Sequence, residues 1–228
     1  MIRNGKLIKF EDLNPERFMV AGDTHGSTPH MQKLFKFADR FGIDTIVQVG
    51  DFGFVWPNLK KKKRDAFGNR LYEVIGYPEG DTRLDTLNRL AEDAGVMILF
   101  LDGNHEDFDR LDDLGAYPDS ESSVQIMDNI IYLPRGFSWV WNDIKFMSVG
   151  GAYSVDQDDR AMGIDWWPRE TINAEDFYRI EALIEENGPV DVMLSHDVPE
   201  LPPELERFLR ALPIMGYSRT EGGLFHLF

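Results

Sequence analysis

The sequence predicts an α/β fold that carries its functional groups on one rim of an open sheet. Three observations predict it. Three short apolar runs (residues 18–21, 43–49 and 96–101) have the β-branched or continuously apolar character of strands buried on both faces. Each run stops at a glycine-containing segment with metal-ligand chemistry: Gly22-Asp23-Thr24-His25-Gly26, Gly50-Asp51 and Gly103-Asn104-His105-Glu106. Helical periodicity lies between the runs, so strand, helix and strand form a βαβ unit with parallel strands. Groups placed where such strands end sit on the rim where open α/β sheets bind ligands.

Along the chain, residues 1–17 are polar and mixed, with a short strand within 7–10 and a turn at Asn14-Pro15. A helix over about 30–41 starts near Pro29, carries Met31, Leu34, Phe35, Ala38 and Phe41 at helical spacing, and stops at Gly42. His30 belongs to its start and is not a ligand. The aromatic stretch 52–57 is a loop near the rim. The basic run 60–64 reads first as a solvated helix start or loop, and alternatively as a landing site for a phosphate-bearing substrate. A second helix covers about 82–94 and ends at Gly95. In the second half, strands at 130–133, 137–141 and 144–149, with a hairpin turn at Asn142-Asp143, read as antiparallel. The loop 150–168 holds Asp156, Asp158, Asp159, Arg160, Trp166 and Trp167, and its length suggests a functional loop. A helix over about 174–186, a strand over 190–194 leading to Ser195-His196-Asp197, and a helix from Pro202-Pro203 to about 212 complete the pattern.

Composition narrows the function classes. At 228 residues with 43% apolar content, and without linker, repeat or low-complexity tract, the chain reads as a single domain, 1–228. The absence of cysteine excludes disulfides, thiolate metal sites and cysteine nucleophiles. With no signal-peptide pattern and no run of about 18 apolar residues, a cytoplasmic protein without membrane contact is expected. A net charge of −16 argues against a general phosphate-backbone binder and would repel an anionic substrate, unless bound cations reverse the sign locally.

The rim residues supply that reversal. Asp23 and Asp51 offer carboxylate oxygens, Asn104 a neutral oxygen, His25 and His196 ring nitrogens. An O/N set without sulfur suits manganese, iron, cobalt, nickel or zinc. A carboxylate such as Asp51 can bridge two ions, which lower the pKa of water and clamp a phosphoryl oxygen. His105 can then act as general acid or as a donor to the phosphoryl group. Asp102, Glu106 and Asp197 are candidates for fixing imidazole orientation. Gly50-Asp51 alone is a weak signal, and Asp23 or Asp51 alone could cap a helix or shape a turn. The joint pattern persuades: four strand ends, each followed by a ligand-type side chain. The serine-hydrolase elbow, the P-loop, the dinucleotide fingerprint and His-Glu-x-x-His are missing.

These motifs, Asp23-Thr24-His25, Gly50-Asp51, Gly103-Asn104-His105-Glu106 and His196, resemble in kind and order those of the calcineurin-like metallophosphoesterases, over about residues 18–200. The text around Gly150-Gly151-Ala152-Tyr153-Ser154 is similar to small bacterial or phage members. The resemblance implies a four-layer α/β sandwich of two mixed sheets flanked by helices. It implies two divalent ions, manganese first, with Asp23 and His25 on one, Asp51 bridging, Asn104 and His196 on the other, and His105 assisting. The family's final Gly-His-x-His is absent and His226 is the sole later histidine, so one sheet is expected to lack the strands that usually follow that motif. The expected activity is metal-dependent hydrolysis of a phosphomonoester or phosphodiester, a nucleotide or nucleic-acid end among the candidates, with Arg160 contacting substrate. The alternatives are a non-catalytic module of the same fold and a protein phosphatase.

Overall fold

The computed structural model describes residues 2–3, 6–56, 59–64, 67, 70–74, 83–197, 217–219 and 225–227. In chain order the strands are β1 (Ile2–Arg3), β2 (Lys6–Leu7), β3 (Met19–Ala21), β4 (Thr45–Val49), β5 (Leu59–Arg64), β6 (Arg70–Val74), β7 (Met97–Leu101), β8 (Val124–Met127), β9 (Ile130–Tyr132), β10 (Ser138–Trp141), β11 (Ile144–Val149), β12 (Val192–Ser195), β13 (Tyr217–Arg219) and β14 (Phe225–Leu227). The helices are α1 (Thr28–Phe41), α2 (Arg83–Ala94), α3 (Phe108–Asp113) and α4 (Ala174–Asn187).

Two mixed sheets dominate. One has the order β3-β4-β7-β9-β8, parallel except for β8 at its edge. The other has the order β10-β11-β12, with β10 antiparallel and β12 parallel to β11. Side-chain alternation along the strands assigns the layers. Ile46, Ile98, Phe100, Ile130 and Tyr132 face one way and pack with Met31, Phe35, Leu87 and Ala91 of α1 and α2. Val47, Met97, Leu99 and Ile131 face the other way and meet Trp139, Trp141 and Phe146 of the second sheet. The far side of that sheet, Met147 and Val149, packs on Ile180 of α4. The result is four layers: helices, sheet, sheet, helix.

Local chemistry explains the boundaries. Ser27 caps α1 by accepting from the His30 backbone N–H, Pro29 sits in its first turn, and Gly42 ends it at φ 63°. Asn142 and Asp143, at φ 49° and 64°, form the tight β10–β11 hairpin.

Several expectations are corrected. The basic run lies in β5, which pairs antiparallel with β6, so it is neither a helix start nor a loop. β9 runs parallel to β7 in the first sheet and does not begin an antiparallel second half. Its antiparallel neighbour β8 gives no clear apolar signal in the sequence, because Val124-Gln125-Ile126-Met127 is a half-buried edge with a register shift. Phe41 is exposed and packs against Phe37 with its ring tilted, instead of joining the buried stripe. The helix expected from 202 to 212 lies outside the described residues. His226 falls in β14, of which only the backbone is described.

Candidate metal centre

The site forms where β3, β4, β7 and β12 end. Asp23 and His25 follow β3, Asp51 follows β4, Asn104 and His105 follow β7, and His196 follows β12. Asp23, Asp51 and His196 offer ligand atoms that all lie within 4.8 Å of one another. His196 Nε2 is 3.3 Å from Asp51 Oδ1 and 3.2 Å from Asn104 Oδ1. His25 Nε2 is 3.5 Å from Asp51 Oδ2, and His196 Nδ1 is 3.8 Å from Asp23 Oδ1. The His25 and His105 rings meet edge to face at 5.6 Å. Five of the expected ligand residues therefore converge, with Asp51 at their centre. His30 sits exposed in the first turn of α1.

Glycine permits the convergence at two close approaches. A Cβ on Gly103 would lie 2.2 Å from both the backbone N and Oδ1 of Asp51. A Cβ on Gly50 would lie 2.3 Å from the His196 ring. The loops are also cross-bonded. His25 N–H donates to Asp51 O at 2.8 Å, Gly26 N–H to Phe52 O at 2.9 Å, and His105 N–H to Asp51 Oδ1 at 2.9 Å. Trp56 Nε1–H donates to His105 O at 2.9 Å.

Glu106 and Asp102 have partners other than imidazoles, contrary to expectation. Glu106 accepts from the backbone N–H groups of Phe52 and Gly53 at 2.5 and 3.2 Å, closing the loop that carries Asp51. Burial pushes its carboxyl well above the usual range. Asp102 accepts from Tyr132 Oη–H at 2.8 Å and from Arg135 Nη2 at 2.6 Å, and Arg135 also reaches Asp176 of α4 at 3.0 Å. The Asp197 carbonyl accepts from Ser195 Oγ–H. Arg160 lies with its guanidinium on Glu170, Ser154 and the carbonyl of Asn104. Arg135, Glu170 and Trp56 carry no motif or spacing that singles them out in the sequence, and Ser154 lies in the 150–154 stretch without a signal for its role.

Electrostatics suit a cation. Burial pushes His196 down, but its bond to Asp51 and the charges of Asp51 and Asp23 outweigh this and raise it to about 9. Burial raises Asp51, and His196 and His105 outweigh that, holding it at about 2. The His196 Nδ1–H donates to Val49 O at 2.8 Å, which turns Nε2 toward two oxygens that are themselves acceptors. Two acceptor oxygens closing on one ring nitrogen need a proton or a cation at that nitrogen, and a divalent ion fits this ligand set. Burial lowers His105, against the pull of Asp51.

A family model described as calcineurin-like phosphoesterase matches residues 16–215. No curated protein matches the chain. The chain is similar to the crystal structure of TT1561 of Thermus thermophilus, at 14% identity over 85% of this chain and 76% of that one, with a TM-score of 0.46. A second crystal structure aligns at 13% identity over 92% of this chain and 89% of that one, with a TM-score of 0.45. Among the described residues, no helix is long and apolar enough to cross a membrane.

Proposed function

The chain belongs to the calcineurin-like phosphoesterase family, a family of metal-dependent enzymes acting on phosphate esters, and we propose that it hydrolyses phosphomonoester or phosphodiester bonds as a single domain with two divalent ions. Asp23 and His25 would hold one ion, Asn104 and His196 the other, and Asp51 would bridge them. What carries this reading is that Asp51 Oδ1 and Asn104 Oδ1 both close on His196 Nε2, a carboxylate, an amide oxygen and a ring nitrogen at a position that a proton on His196 fills and a cation can take over. Ions held there supply a low-pKa water and offset the charge of a phosphoryl group. Manganese is the first candidate, with iron, nickel, cobalt and zinc also suited to the donors.

The chain's own residues do the rest. Asp51 binds from a buried position, and its backbone carbonyl holds the His25 loop. His105 is pinned at N–H by Asp51 and at C=O by Trp56, which presents its ring beside His25. Because burial keeps that ring neutral more readily, its remaining N–H is suited to donate a hydrogen bond to a phosphoryl oxygen rather than to transfer a full charge. The Asp51, Asn104 and His196 side is buried, whereas the Asp23 and His25 side chains are about half exposed, at 48% and 53%. The first side would hold its ion more tightly, and the second would exchange its ion more readily. A nucleotide or nucleic-acid end falls within the substrate class.

The test is turnover of bis-p-nitrophenyl phosphate with added manganese, together with metal content of the purified chain. Asp51→Asn and His196→Ala should each remove metal and turnover. No turnover with manganese, nickel, cobalt or zinc overturns the enzymatic reading. Metal without turnover points to a binding module of the same fold.

A further inference from the structure

Asn104 can present a cation with either an oxygen or an amino group, and only the oxygen is a ligand. Its orientation is decided on the side away from the site. Asn104 Nδ2–H donates to Ser154 Oγ at 3.1 Å, which leaves Oδ1 facing His196 Nε2. Ser154 has one hydroxyl proton, and it donates that proton to Glu170 Oε2. Ser154 Oγ also accepts from Arg160 Nη1–H at 3.0 Å. With its proton committed, Ser154 can offer Asn104 only a lone pair, so the amide must turn its N–H outward and its oxygen inward.

The remaining contacts hold Ser154 and Asn104 in place. Arg160 forms a two-pronged pair with Glu170, Nη2 to Oε1 at 2.9 Å and Nη1 to Oε2 at 3.0 Å. Both Nη groups also reach the backbone carbonyl of Asn104, at 3.4 and 3.3 Å. Glu170 Oε1 further accepts from the Trp167 N–H at 3.0 Å. Glu170 is fully buried and the Arg160 side chain is 6% exposed. A buried ion pair adds little stability over an apolar pair of the same shape. Its use here is directional.

We propose that Ser154, Glu170 and Arg160 are positioning residues that fix the Asn104 amide with its oxygen toward the cation position. The proposal rests on the metal reading above and gives the 150–168 loop a role, since its polar residues set a ligand from behind. Arg160 then acts on the site through Asn104, not by contact with substrate.

The experiment uses the full chain and two readouts. In the metal-free protein, nitrogen-15 NMR follows the side-chain amide protons of Asn104, assigned by their loss in Asn104→Ala. In the same samples, manganese affinity is measured by calorimetry. Ser154→Ala should speed exchange of the amide protons and weaken manganese binding by about 10–100-fold, the usual effect of removing a group that orients a ligand. In the Asn104→Ala background, Ser154→Ala should cause no further loss of affinity, because the partner it acts through is gone. Glu170→Gln, which keeps the shape, should move both readouts in the same direction. Unchanged amide exchange, or an equal affinity loss in both backgrounds, overturns the proposal. Should the unaltered chain bind no manganese while the amide still responds to Ser154→Ala, the positioning role stands and the metal reading fails.

Discussion

Asp51→Asn in the metal-free chain tests whether the centre is assembled as described. The substitution preserves side-chain shape and the acceptor for the His105 N–H, and removes one negative charge 3.3 Å from His196 Nε2. His196 stands at about 9 against an ordinary 6.5, because Asp51 and Asp23 outweigh the burial that would lower it. That difference corresponds to about 3 kcal/mol favouring the charged ring in the folded state. With the carboxylate gone, burial dominates, and His196 should titrate at or below the ordinary histidine value. The sign for stability follows. A histidine raised on folding stabilises the fold fully below its unfolded value near 6.5, and that contribution is lost as pH rises through about 9. The metal-free chain should therefore lose up to about 3 kcal/mol of unfolding free energy between pH 6.5 and 9, and Asp51→Asn should abolish this slope. Proton NMR titration of the histidine rings, with urea unfolding at several pH values, reads both effects. A His196 that titrates near 6.5 in the unaltered chain, or does not move in Asp51→Asn, would refute the convergence of Asp51 and His196.

Manganese binding at pH 7 should release about one proton, since the ion replaces the His196 proton, and affinity should rise with pH toward 9. Calorimetry in two buffers of different ionisation enthalpy measures that release. Gly103→Ala should lower metal content and the thermal midpoint together, because its Cβ would meet Asp51 backbone at 2.2 Å and neither can yield cheaply. Arg135→Leu should cost about 3–5 kcal/mol in urea unfolding, because it strands the buried Asp102 carboxylate without its partner. A loss below about 1 kcal/mol would mean that Asp102 finds another donor.

Much of the centre is legible in the sequence because ligand chemistry sits immediately after strands, and strands buried on both faces announce themselves. β4 and β7 are of this kind, and their ends deliver Asp51 and Asn104 where expected. The βαβ unit is legible for the same reason, with Pro29 and Gly42 marking the limits of α1. What is not legible depends on contacts between distant residues. β8 has no apolar run of its own and exists by pairing with β9. The basic run pairs with β6 although its composition suits a solvated segment. Asp102 and Glu106 stand near histidines in sequence, yet they bond to Arg135 and to the Phe52 and Gly53 backbone. Ser154 and Glu170 lie 50 and 66 positions after Asn104, a separation that leaves no local periodicity to read.

Backbone conformation adds a separate argument that the centre is preorganised. Among the described residues, five non-glycine residues have positive φ. Two of them, Asn142 and Asp143, form a hairpin turn where that conformation is ordinary. The other three are Asp23 at 45°, His25 at 45° and Asp51 at 53°, all candidate ligands. Each such residue costs about 1–3 kcal/mol unless its surroundings over-determine it. At His25 and Asp51 they do: the His25 N–H is held by Asp51 O, the Gly26 N–H by Phe52 O, and the Phe52 and Gly53 N–H groups by Glu106. A Cβ on Gly26 would lie 2.5 Å from Gly53 O, so the two loops interlock without room for adjustment. Bonds between the two loops thus support these conformations. Cation binding then meets ligands already aimed, and the ordering cost has been met in folding. That is why substitutions that loosen the Glu106 and Asp51 bonds should weaken binding even though they leave every ligand in the chain.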